Sequence, residues 1–111
     1  MSKTISTFQG KKIRKTYDNG TWYFCLSDIV YAITKSKDSK LYLKELRRRK
    51  PSIKENWNTL CPLYPIQTKG GFQKIKCVNY DSILVLFETS RSPKKDKLFK
   101  WARTVSKQKY E

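Results

Sequence analysis

The chain has 111 residues, 38% hydrophobic and 14% aromatic, with 25 lysines and arginines against nine acids and no histidine, a net charge of +16. That length fits one domain with a single modest core, and its apolar runs, such as residues 83–87 (ILVLF), are far too short to span a membrane. The lack of histidine excludes a His-ligated metal, an imidazole base and Ser-His or Cys-His nucleophiles.

In chain order, residues 7–14 (TFQGKKIR) and 21–26 (TWYFCL) read as two strands joined at Asp18-Asn19-Gly20, because Asn-Gly is the strongest short-range hairpin signal. Ser27 stands where an N-cap should, and Asp28 suits the first turn of a helix over about 28–34, with Leu26, Ile29, Val30 and Ile33 at helical spacing. The polar connector 34–40 (TKSKDSK) offers Ser36 or Asp38 as the next cap. A second helix over 39–49 puts Tyr42, Leu43 and Leu46 on its apolar side, and Pro51 stops it. Residues 52–58 read as one short helical turn leading Trp57 toward the core.

The centre of the chain is a second hairpin, roughly 60–67 against 72–78, turning at Gly70-Gly71, where glycine supplies positive φ without steric cost. Pro62 and Pro65 cannot donate to a ladder, so its first strand belongs at a sheet edge or carries a bulge. A helix follows over 82–88, capped by Asp81, with Ile83, Leu84, Leu86 and Phe87 inward. Ser92-Pro93 starts the last helix, packed through Leu98, Phe99, Trp101, Ala102 and Val105. The order β-β-α-α-β-β-α-α predicts a small α+β domain: two hairpins and about four short helices, a core over about 6–106 and a frayed tail at 107–111.

Charge is concentrated. Residues 34–60 hold nine basic and three acidic groups and 89–111 hold eight and two, flanking a nearly neutral 61–88. Such a surplus repels itself, and a polyanionic partner explains it better than a solubilising surface, which mixes both signs. Lys40, Lys44, Arg47 and Arg48 gather on one helical face, and Arg49 and Lys50 complete a run of four cations. One or two cations would complement a helix C-terminus; this run exceeds that role. Gln67, Lys69, Gln73 and Lys74 at the central hairpin tip and Lys94 and Lys95 in the last helix complete the candidate nucleic-acid contacts. Gln73 has an equal rival role, hydrogen bonding within the turn. Cys25, Cys61 and Cys77 are odd in number and widely spaced, which disfavours disulfides and a zinc set and predicts buried apolar residues.

Together these features resemble the BRO family N-terminal (Bro-N) domain of phage antirepressor-type, baculovirus BRO and bacterial DNA-damage-inducible proteins. The resemblance lies in Phe8-x-Gly10-x-x-Ile13-Arg14, in Trp22-Tyr23-Phe24 with Ser27-Asp28-Ile29, and in Leu41-x-x-x-x-Leu46-x-x-Arg49. It continues in Gly70-Gly71-x-Gln73-Lys74 and in Phe99-x-Trp101. It implies a viral or prophage transcriptional regulator that binds DNA, in the host cytoplasm and nucleoid or in the nucleus of a eukaryotic host. Family proteins commonly carry a further C-terminal domain, and the resemblance here runs nearly to the last residue.

The leading expectation is thus a non-enzymatic, intracellular DNA-binding domain, without metal, cofactor or membrane partner. A second reading is a module that binds an acidic protein such as a repressor; a third is RNA binding, with Tyr17 or Tyr110 stacking on unpaired bases. Nine scattered acids do not form the carboxylate cluster a metal-dependent nuclease needs.

Overall fold

The computed structural model describes residues 4–34 and 38–108. Five strands, β1 (Ile5–Phe8), β2 (Lys11–Asp18), β3 (Thr21–Cys25), β4 (Leu63–Thr68) and β5 (Gly71–Val78), form one antiparallel sheet in the order β1-β2-β3-β5-β4. Six helices accompany it: α1 (Leu26–Thr34), α2 (Ser39–Arg49), α3 (Pro51–Glu55), α4 (Trp57–Leu60), α5 (Tyr80–Phe87) and α6 (Lys95–Ser106). The fold is α+β, as the pattern predicts, with one strand and two helices more.

The extra strand comes from residues 7–14, which form parts of two strands instead of one. The chain reverses at Gln9 and Gly10, with φ of 49° and 82°, and Ile5–Phe8 pairs back on 11–14. Glutamine is an uncommon residue at positive φ, so only Gly10 hints at the turn. The Asn19-Gly20 hairpin forms as expected, φ 49° and 80°, and sets Tyr17 opposite Trp22.

The central hairpin turns more tightly than expected, Thr68 pairing with Gly71, and its first strand begins only at Leu63. Only Gly71 of the glycine pair has positive φ, 100°. The turn is tied by Thr68, whose Oγ1 donates to Gly71 O (2.7 Å) and accepts from Gly70 N (3.2 Å), leaving Gln73 without that role. Gly71→Val should destabilise the fold by about 1–3 kcal/mol, the cost of a side chain forced into that backbone region; an unchanged urea midpoint would count against this turn. As the two prolines imply, β4 is an edge strand.

Helix starts depart from expectation in three places. Ser27 lies inside α1, so Asp28 is more than a first-turn residue. Its carboxylate accepts from Arg14 Nε (2.8 Å), Nη2 (2.9 Å) and backbone N (3.0 Å), which clamps α1 to β2. The Asp28 bond, foremost, holds the Arg14 guanidinium above its ordinary pKa. At α5 the cap is Asn79, accepting from Ser82 N, and Asp81 falls in the first turn; Leu84 is only half-buried and Val85 is exposed. Ser92 and Pro93 precede α6 by a turn: Ser92 Oγ accepts from Lys94 N and donates to Ile33 O (2.8 Å), joining α6 to the end of α1. Asp38 caps α2 through Leu41 N; Ser36, the other candidate, lies outside the described residues. The single turn expected over 52–58 is two helices, α3 and α4, broken at Asn56.

The core lies between helices and one sheet face, built on Ile13, Phe24, Ile29, Val78, Leu86, Phe87 and Leu98. Trp101 joins α6 to the sheet, its Nε1 donating to Thr7 O (2.9 Å) and its ring packed on Phe8 and Phe24. The sheet curls so that β4 approaches β2. Arg14 Nη1 donates to Gln67 O (3.3 Å), and the Tyr64 hydroxyl donates to Asp18 (2.8 Å). All three cysteines are free and buried, and burial pushes the Cys61 and Cys77 thiols up to about 12, so both are neutral at physiological pH.

Candidate nucleic-acid interface

Three consecutive arginines on a helix point roughly 100° apart, and α2 uses this to send its C-terminal cations in different directions. Arg47 turns toward α4, its guanidinium carbon 4.4 Å from the centre of the Trp57 ring. Arg48 lies outward, paired with Glu45 at 2.7 Å. Arg49 faces the loop between α5 and α6, in an open cleft of about 360 Å³ shared with Thr34, Tyr42, Ser90 and Arg91.

Trp57 connects α2 to the hairpin. It is half-buried and packs against the core, as expected, and Lys76 Nζ of β5 also sits over its ring, at 5.8 Å. Along β5, Phe72, Lys74 and Lys76 alternate onto one face, opposite Gln67, Pro65 and Leu63 of β4. One surface therefore runs from the hairpin turn at Lys69 through Phe72, Lys74, Lys76 and Trp57 to Arg47, and on to Lys44 and Lys40 one and two turns back on α2. Two aromatic rings, Phe72 and Trp57, stand among six cations along it. The hairpin portion, Phe72 to Lys76, is about 13 Å long at 3.3 Å per residue.

Of the sequence-predicted residues, Lys40, Lys44, Arg47, Gln67, Lys69 and Lys74 belong to this surface, and Arg48 lies outward beside it, paired with Glu45. Gln73 is exposed but alternates onto the opposite hairpin face, with Ile66. Arg49 and Lys50 face away from it; Lys50 approaches Glu88 at 3.7 Å. Lys94 and Lys95 serve helix ends: Lys94 Nζ donates to Ala32 O of α1 (3.3 Å) and Lys95 Nζ to Glu88 O just beyond α5 (3.0 Å). These carbonyls carry the negative ends of two helix dipoles, which accounts for both ammonium groups locally. Lys15 is also committed, 3% exposed with Nζ 4.1 Å over the Trp22 ring, and burial lowers its pKa.

Sequence reasoning missed Trp57, Lys76 and Phe72. Phe72 lies in a strand, as its residue type suggests, and is 73% exposed; its cross-strand neighbour Gln67 is the polar signal that could have found it. Tyr17, expected to be free for stacking, is half-buried edge-on to Trp22 at 4.9 Å, and Tyr110 lies outside the described residues. A second basic surface, Lys100 and Arg103 on α6 with Lys107 just beyond it, carries no aromatic ring in its cleft, and its Thr104 hydroxyl is spent on Lys100 O. Among the described residues no group of three or more His, Cys, Asp or Glu side chains could hold a metal ion, and no helix is long and apolar enough to cross a membrane. Compared with known protein families, with curated proteins and with solved structures, the chain has no match.

Proposed function

We propose that this chain is a non-enzymatic DNA-binding domain, of the kind found in viral or prophage regulators, that grips the phosphate backbone with α2 and the β4–β5 hairpin together. The observation that carries this reading is the continuity of the surface through Trp57, with Arg47 and Lys76 on its ring. Cations spaced along a ridge neutralise successive phosphates and release their counterions, the main source of affinity for a duplex. Gln67, at the hairpin end, brings an amide able to address a base edge. An acidic protein partner needs the same charge but no exposed ring among the cations, so the aromatic content favours nucleic acid.

A nitrogen-proton correlation spectrum recorded with a short duplex tests the assignment. The Trp57 indole signal and the amides of α2 and β5 should shift. The Trp22 and Trp101 indoles, already bonded to Gln108 O and Thr7 O, should stay. Shifts confined to α6, or none, would overturn the proposal.

A further inference from the structure

We infer that the cleft beside the β4–β5 turn takes a nucleobase lifted from its stack, with Phe72 as the ring on which it stacks. This rests on the nucleic-acid-binding reading and extends it from phosphate contact to base contact.

Phe72 is the most exposed large hydrophobic side chain among the described residues. A phenyl ring gains nothing from water, and the backbone that carries this one is held by a hydrogen-bonded turn. Thr68 Oγ1 bonds both sides of that turn, and Gly71 supplies the backbone geometry that launches β5. A platform fixed before binding loses little entropy when a ligand arrives.

The ring borders a cleft of about 300 Å³ between β1, β2 and β4, lined by Thr4, Ile5, Thr16, Ile66 and Gln67. That is the small end of the range for ligand pockets, about 300–1,000 Å³, a size for one heterocycle. Its lined area is mainly apolar, and both of its cations are already engaged: Arg14 is neutralised by Asp28, and the buried Lys15 turns its ammonium onto the Trp22 ring. An uncharged planar ligand fits such a lining better than a phosphate does.

The polar groups fit the same ligand. Gln67 Nε2 donates to Thr68 O (3.2 Å), while its Oε1 accepts no hydrogen bond among the described residues, so a base edge can donate to it. Lys69 in the turn and Lys74, on the same strand face as Phe72, stand beside the cleft where flanking phosphates would pass. Every base has a π-face, so stacking here is tolerant of sequence.

The test combines affinity with photocrosslinking. Single-stranded oligonucleotides carrying 5-iodouracil, which crosslinks to aromatic rings stacked on it, should attach to Phe72 on irradiation, located by peptide mass spectrometry. Phe72→Ala should bind single-stranded DNA about five- to a hundred-fold more weakly with an unchanged log–log salt slope, because the residue carries no charge. Phe72→Trp should restore the affinity. The melting temperature of Phe72→Ala should stay at the parent value, since so little of the ring is buried. Parent-like binding by Phe72→Ala, or crosslinks only elsewhere, would overturn the base site and leave the phosphate-binding reading standing. If the unaltered protein binds no nucleic acid, both fall.

Discussion

Phe24→Ala is expected to lower the unfolding free energy by about 3–5 kcal/mol, the usual cost of removing a fully buried aromatic ring. Phe24 is fully buried and does two jobs. It pairs with Val78 in the β3–β5 ladder, which has only one other register pair, Cys25 with Cys77, and that ladder joins the two hairpin units of the sheet. Its ring also lies 5.2 Å from Trp101, the residue through which α6 reaches β1. A domain of this size commonly holds about 5–15 kcal/mol in all, so the loss would take a large share. Urea titration should give a lower midpoint with an unchanged slope. A loss below about 1 kcal/mol would mean that the hairpins are held together in some other way.

The second large effect concerns binding. With Arg47→Ala and Arg48→Ala combined, the slope of log K against log salt for duplex DNA should fall by about 1.8 and affinity at 0.1 M salt by roughly fifty-fold, as two phosphate contacts imply. The fold should tolerate the change. The Arg48–Glu45 pair is exposed, so its loss costs little. Removing the Arg47 guanidinium from Trp57 forfeits about 0.5–1 kcal/mol. Lys100→Ala with Arg103→Ala on α6 removes equal charge and should leave the slope nearly unchanged. If the α6 pair lowers the slope and the α2 pair does not, the interface belongs on α6.

Much of this architecture was legible in the sequence because the signals were local. Asn19-Gly20, the Pro51 stop, the Asp38 cap and the prolines of β4 each act within a few residues, and each element stands near its expected place. The misses came from chemistry with competing solutions. Gln9 accepts positive φ because the rest of the sheet demands a reversal there, and Asn79 takes the cap beside an equally eligible Asp81. The interface was half legible. A charge run marked α2 and the polar residues of the turn marked the hairpin, but Trp57 as their connection depends on tertiary packing that neither segment shows alone. Lys94 and Lys95 looked free in one dimension; in three, Lys94 meets a carbonyl of α1 from far back in the chain and Lys95 the one just past the end of α5.

The most direct test of the central claim is fluorescence anisotropy of labelled duplex DNA titrated with the protein across a salt series, with single-stranded DNA and structured RNA alongside. Tight duplex binding is expected, weakening steeply and linearly on log–log axes as salt rises. No binding to any of the three at low salt would contradict it and turn attention to an acidic protein as the partner of this surface.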